Sequence, residues 1–581
     1  MSNRRRLLWT VPVALLIAVV AYTGWLVWRV QGDLQAAENS ATRLRDTLDS
    51  GDGSARKAAL TDLQADAASA RQRTESAWWT GLTYVPFLGD DATGVRALSR
   101  SLDTVAANGV QPLSDTVDDL DGVLAHGRIN VAAVRRLQSP VADAHDAFVT
   151  ADADVSGLDS SGYAGPLKSR FDRYTKLIGD TAQALSSAQR ATQVLPTMVG
   201  GDGPRDYLLI FQNNAEIRAT GGLPGSWARI HAEDGQLSLA QQGTGSQFGQ
   251  RPKPVLPLTP AERVLQHEQL GLYFLDAGFT PDYPRAAQLW TARWEETFPN
   301  VKLDGVVALD PVAMSYLLEG TGPVQVAGIT LTSKNVVSEL LNRTYRRLSA
   351  PAAQDAFFGK AAQSIFAAST DHLKSPLRFV EGLARAAEEG RFLVAASDHS
   401  VNAAIDGTRV RGALTADDGD IPHIDIGLND ATAAKMSYYL RYWGEVKSTG
   451  CSDGRQTLSG SLTLNQDIDP EAATKLPRYV TGGGDSGTDL GSQTVLIPIY
   501  GPYGGTINHI SVNGKNLDHI IQTVNYRGRP ATLVFADVSS RKDVVFNFTM
   551  HTGKGQTGAV HLGLTPSIVP GNNDTVSKSA C

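Results

Sequence analysis

Apolar residues recur at alternating spacings of three and four through residues 33–198. The series runs Leu34, Ala37, Ala41, Leu44, then Leu60, Leu63, Ala67, Ala70, then Val95, Leu98, Leu102, Val105. It continues at Val134, Leu137, Val141, Ala144, Phe148, and at Leu167, Phe171, Tyr174, Ile178, Ala182. One apolar stripe per helix predicts a bundle of antiparallel helices. The break at Gly51-Asp52-Gly53-Ser54 places Ser54 to cap the second helix. From Gly200 the pattern changes. Residues 207–211 are a continuous apolar run, as in a buried strand, and 226–231 and 236–240 read as strands around a turn at Asp234-Gly235. Helical spacing returns at 283–297 and 311–318, with strands at 306–309 and 392–395. This alternation predicts an α/β domain over 200–400. From about residue 430 strands dominate, at 459–464, 494–500, 506–512, 531–535, 544–550 and 559–564, with Asn513-Gly514 as a hairpin turn. They predict a β-sandwich over 430–581.

The N-terminus adds a topology. Residues 7–28 begin at Leu7, after Arg4, Arg5 and Arg6, and carry no charge. The run is about 33 Å long as a helix, enough for a bilayer core. Trp9, Tyr22, Trp25 and Trp28 lie near its ends, as interfacial aromatics do. A transmembrane helix is expected at 7–28, with a cytoplasmic tail at 1–6 and the bulk of the chain extracytoplasmic, a single-pass cell-membrane protein. The alternative is a cleaved signal peptide, whose apolar core is shorter. The expected fold class is α+β multidomain: N-terminal transmembrane helix, extracytoplasmic helical bundle, mixed α/β sandwich domain, C-terminal β-sandwich. Trp78, Trp79, Tyr84, Pro86 and Phe87 form a hairpin tip that either rests on headgroups or packs on the bundle.

Composition narrows the chemistry. With 42 % hydrophobic residues among 581, the chain is globular rather than disordered. A net charge of -7 argues against nucleic-acid binding. Two cysteines exclude zinc ribbons, iron–sulfur clusters and disulfide scaffolds. Cys451 and Cys581 either form a disulfide, which an exported location permits, or stay free thiols. H-E-x-x-H and G-x-x-x-x-G-K-[ST] patterns are absent. His372, His399 and His423 read as polar surface or loop residues. Asp276 and Asp282 are weak candidate metal ligands that read equally as turn and cap residues. No cofactor is expected.

The most distinctive stretch is Gln212-Asn213-Asn214-Ala215-Glu216-Ile217-Arg218-Ala219-Thr220-Gly221-Gly222, directly after the apolar strand. Ligands bind beyond the carboxyl ends of strands in α/β sheets. Asn213, Asn214, Glu216, Arg218 and Thr220 offer donors and acceptors there, and Gly221-Gly222 permits close backbone approach. Arg218 suits a phosphate or carboxylate. The alternative is a polar turn in which Arg218 and Glu216 satisfy backbone groups and each other.

This stretch resembles the hallmark of a bacterial domain-of-unknown-function family (DUF4012), common in actinobacteria and anchored in the cell envelope. Asp276-Ala277-Gly278-Phe279-Thr280-Pro281-Asp282-Tyr283-Pro284, Asp304-Gly305-Val306-Val307-Ala308-Leu309-Asp310-Pro311, Thr321-Gly322-Pro323-Val324 and Lys435-Met436-Ser437-Tyr438-Tyr439 resemble further blocks. The element order of 204–395 is more distantly similar to the LytR-CpsA-Psr cell-wall ligases. That similarity implies transfer of a glycopolymer from polyprenyl pyrophosphate, with Mg as the implied cofactor. Arg218 with Arg343, Arg346 and Arg347 would then hold the pyrophosphate, and Asp276 or Asp282 the metal. Thr220 and Ala240-Gln241-Gln242 stand where that family carries acidic or basic residues, so the catalytic set is incomplete. The expected function is an envelope protein binding a glycan, a polyprenyl-linked ligand or an envelope partner through the α/β domain. The alternatives are the transferase and a lipid-carrying or sensory ectodomain.

Overall fold

A computed structural model describes the chain apart from residues 1, 2, 51, 121, 126, 371, 372, 486 and 520 and the side chains of 3–16, 48–50, 117–120, 124 and 125. Arg4, Arg5, Arg6 and Trp9 of the expected anchor, Gly51 of the expected break and His372 thus fall outside what is described. Two compact units form: Met1–Ala125 with Asn130–Pro196, and His126–Ile129 with Thr197–Cys581.

The first unit is helical. Its long elements are α1 (Asn3–Ser50), α2 (Gly53–Thr74), α3 (Gly89–Thr104), α4 (Val131–Ser156) and α5 (Gly165–Met198). Ala37 and Leu44 of α1 meet Leu60, Leu63 and Ala67 of α2 in one buried seam. Ala144, Phe148 and Ala151 of α4 meet Ile178, Ala182 and Leu185 of α5 in another. Small residues on these faces let the helices approach closely. The cap of α2 is Asp52, not Ser54: its Oδ1 accepts from the Ser54 and Ala55 amides, each at 3.0 Å. At the hairpin tip Trp79 is buried and donates to the Ala92 carbonyl, whereas Tyr84 and Phe87 stay exposed.

The expected transmembrane helix is corrected. Among the described residues no helix is long and apolar enough to cross a membrane. Of the uncharged run, the side chains of 17–28 are described, about 18 Å of helix against the roughly 30 Å of a bilayer core. Leu26 and Val30 are buried against Trp79 and Ala92, so one face of this stretch already packs on protein. The single-pass membrane placement, and the extracytoplasmic location drawn from it, fall with that helix. The fold is mixed α/β with several sheets.

In the second unit six strands form one sheet: β1 (Arg128–Ile129), β2 (Arg205–Asn213), β3 (Leu223–Glu233), β4 (Gln236–Thr244), β5 (Gly305–Leu309) and β6 (Phe392–Ala396). Their order is β1-β4-β3-β2-β5-β6, with β2 and β5 parallel. The β3–β4 hairpin turns through Asp234 and Gly235, both at positive φ, as a two-residue turn between twisted strands requires. β2 is apolar at every central position because both faces of the sheet are covered. Leu208 and Ile210 join Trp227, Trp290 and Trp294 on one side. Leu209 and Phe211 pack toward Val312, Met314 and Leu340 on the other. Helices α6 (Tyr283–Thr297), α7 (Pro311–Thr321), α8 (Pro351–Thr370) and α9 (Pro376–Glu388) provide these layers.

Residues 324–326 and 329–331 pair as a small separate ribbon. The C-terminal strands are β7 (His423–Ile426), β8 (Asn429–Asp430), β9 (Leu440–Ser452), β10 (Arg455–Gln466), β11 (Gln493–Tyr500), β12 (Thr506–Val512), β13 (Lys515–Asn516), β14 (Thr523–Tyr526), β15 (Arg529–Val538), β16 (Val544–His551), β17 (Val560–Leu564) and β18 (Thr575–Ser577). One sheet runs β14-β15-β11-β7-β17-β18, with β8 on β11, and the other runs β9-β10-β16-β12-β13. Ile424, Ile497 and Leu562 of the first meet Leu462, Phe546 and Phe548 of the second in a continuous core. A disulfide joins Cys451 to Cys581 across 130 residues.

Candidate functional site

A cavity of about 410 Å3 opens where β2 and β4 end and α7 begins. Its apolar wall includes Phe211, Leu223, Leu275, Met314, Leu340 and Phe358, and its polar groups include Asn213, Ser226, Gln354 and Tyr345. Three charged residues line it: Glu216, Lys435 and Asp355. The position follows from topology, because the parallel pair β2/β5 points its carboxyl ends at this space.

Lys435 is buried and pairs with Glu216. The rings of Tyr479 and Tyr345 flank its ammonium, with centroids 4.6 and 5.4 Å away. Burial pulls the Lys435 pKa down; the Glu216 charge and hydrogen bond, with Tyr479 and Asp430, together outweigh it and hold the ammonium above its ordinary value. Asp355 is exposed on α8 at the cavity wall, and partial burial of its carboxyl pushes its pKa up, against the opposing Lys435 charge.

The hallmark stretch turns inward and is tied by its own polar groups. Gln212 Nε2 donates to the Thr220 carbonyl at 3.0 Å. Asn213 donates to the Tyr345 hydroxyl. Asn214 donates to Asp310 Oδ2 at 3.0 Å, and that oxygen also receives the fully buried Arg391 at 2.9 Å. Ile217 and Ala219 amides donate to Ser437 Oγ and Asn429 Oδ1. Gly222 has no room for a side chain: an added Cβ would sit 2.4 Å from the Asn213 carbonyl carbon.

Arg218 is consumed by structure. It donates to the Ile217 and Asp430 carbonyls and to Asp276 Oδ1, the last at 3.0 Å, with its guanidinium over the Phe279 ring. Burial pushes the Asp276 pKa up, opposed by Arg218. The polar-turn alternative is therefore right in kind, but the partner is Asp276 rather than Glu216. Arg343 and Arg347 pair with Glu339, and Arg346 is exposed. Neither Arg218 nor these three lines the cavity, so they do not form a pyrophosphate cluster there. Asp282 faces Arg527 at 2.7 Å, apart from the Asp276–Arg218 pair. Among the described residues no group of three or more His, Cys, Asp or Glu is placed to hold a metal ion.

Of the hallmark residues, Gln212, Asn213 and Glu216 line the cavity, while Ala219 and Thr220 line a second one beside His423 and His561. Tyr345 and Tyr479 carried no signal of their own as site residues; Asp355 stood only behind Arg343, Arg346 and Arg347 in the block resembling the ligases' arginine-rich helix, and Lys435 only as the first residue of a resembling block. Gly450-Cys451-Ser452-Asp453-Gly454 has the G-x-S-x-G spacing of a nucleophile elbow. It forms the β9–β10 hairpin turn instead, with Asp453 and Gly454 at positive φ and Cys451 in the disulfide.

Residues 202–345 match the family model described as Protein of unknown function (DUF4012), so the chain carries the domain its hallmark resembles. No curated protein and no solved structure matches the chain.

Proposed function

We propose that the DUF4012-bearing unit is a glycan-binding module, with the sugar held in the 410 Å3 cavity at the carboxyl end of β2. One observation carries this reading: the cavity joins apolar and aromatic walls to hydroxyl, amide and carboxylate groups, and its one ammonium is already paired with Glu216. A sugar ring presents apolar C–H faces and hydroxyl edges. The faces suit Phe211, Phe358 and Tyr479, and the edges suit Asn213, Gln354 and Asp355. A pyrophosphate head needs cations. Two carboxylates against one ammonium favour an uncharged ligand, which sets the glycan ahead of a polyprenyl pyrophosphate.

Calorimetric titration of the full chain with neutral oligosaccharides tests this. Binding is expected with wild type, about tenfold weaker for Asp355→Asn and lost for Ser226→Phe, which fills the cavity from β3, with unfolding temperatures unchanged. Absence of binding, or equal binding by all three proteins, sinks the reading.

A further inference from the structure

The second cavity of this unit holds about 600 Å3 and is polar. His423 on β7 and His561 on β17 stand opposite each other in the parallel ladder, ring centroids 5.0 Å apart. Asp418 lies 2.8 Å from His423 Nε2. One wall is the C-terminal strap of residues 566–581, which contributes Asn572, Asp574, Thr575 and Val576.

The strap is clamped at its two ends. At the first, buried Arg391 donates to the Ser567 carbonyl at 2.6 Å and the Val569 carbonyl at 2.8 Å. In the middle, Asp574 pairs with Arg409, and the three-residue strand β18 pairs with β17, setting Val576 opposite His561. Ser577, the last residue of β18, donates to the Val446 carbonyl; beyond it the strap is tied to β9 by the Ala580 amide on Ser448 Oγ at 3.1 Å and by the Cys451–Cys581 bond. Ile568 packs on the core near the first clamp, but Val569 and Val576 face solvent, so apolar burial holds the strap weakly beyond Ile568. The covalent bond is the strongest tie at its far end.

We propose that Cys451–Cys581 is a redox latch whose reduction lets the strap lift and opens the polar cavity. A dithiol attacks the disulfide, and the Cys451–Cys581 S–S bond breaks. Two electrons and two protons pass to the protein, giving two thiols, and the dithiol becomes its own disulfide. The β17–β18 ladder, the Asp574–Arg409 pair, the Leu564 amide on Asp574, and the Ser577 and Ala580 bonds to β9 then hold the strap without a covalent tie, through non-covalent contacts of the kind that open locally.

Diethylpyrocarbonate labelling of histidines in the folded full chain, read by mass spectrometry at 25 °C before and after dithiol treatment, is the test. His423 and His561 are expected to react several-fold faster after reduction, and Cys581→Ser is expected to behave like the reduced chain. His509, on β12 and paired with Asp518, is the internal control and is expected to stay constant. Unchanged rates at His423 and His561 overturn the latch. So does equal acceleration at all three, which reports general loosening. If Cys581→Ser does not fold, dithiol treatment of the folded wild type gives the same decision.

Discussion

Lys435 donates to Glu216 across 219 residues of sequence, and both side chains are at least nine-tenths buried. The pair fastens the hallmark loop to the segment leading into β9, and it forms one wall of the cavity. Removing one partner leaves the other charge buried alone. Lys435→Met or Glu216→Gln is expected to lose about 3–5 kcal/mol, and the double replacement less than the sum. Urea unfolding of the four proteins in a double-mutant cycle measures this; additive losses disprove the coupling. The raised Lys435 pKa has a pH consequence. Its stabilisation is present below the ordinary value of 10.5 and is lost as pH rises through the folded value.

Arg218 separates the structural role from the ligand role expected for it. Its guanidinium compensates Asp276 and two carbonyls in a buried setting. Arg218→Ala is expected to lose about 3–5 kcal/mol near neutral pH. Without Arg218, the already raised Asp276 pKa climbs further, so the folded variant binds a proton that the unfolded chain does not. The loss therefore shrinks as pH falls toward about 5. Denaturant melts at the two pH values measure it. Full stability with abolished ligand binding would instead return Arg218 to the site.

Gly222 tests the loop's packing. Gly222→Ala pushes a methyl into the Asn213 and Asn214 backbone and is expected to cost about 3 kcal/mol or more. Gly225→Ala, whose new methyl meets nothing closer than 3.7 Å, is expected within about 0.5 kcal/mol of wild type. Thermal unfolding of both distinguishes close approach from a general cost of replacing glycine; equal losses exclude it.

What was readable follows from how local each signal is. The apolar run at 207–211 marks β2 because both neighbouring layers lie within the same domain. Strand β9 carries an alternation, Leu440, Tyr442 and Val446 inward with Glu445 and Lys447 outward, but glycine at the inward position 444 and the exposed Trp443 blur it in the sequence. The hallmark residues stood out, yet their partners did not. Asp276 is 58 residues from Arg218, and Ser437 is 220 residues from Ile217, distances over which no spacing rule applies. An apolar run at a chain start reads the same whether lipid or a partner helix covers it. The packing of Leu26 and Val30 on Trp79 is visible only in three dimensions.

His561 gives the unit an acid sensitivity. Burial, and then the neighbouring His423, push its pKa below the ordinary 6.5, while Asp418 and Asp425 pull the other way. Asp425 is itself bonded to Arg529 at 2.6 Å, which limits its help. The folded state therefore resists a proton that the unfolded chain accepts. As pH falls through about 6.5 the unfolded state gains protons first, so stability falls from there down to the lowered folded value and then levels off. Unfolding temperatures between about pH 7.5 and 5.5 are expected to drop more steeply for wild type than for His561→Asn, which has nothing to titrate. An identical slope for the two proteins would place the acid sensitivity elsewhere. A slope that vanishes only in His423→Asn would move it to the partner ring.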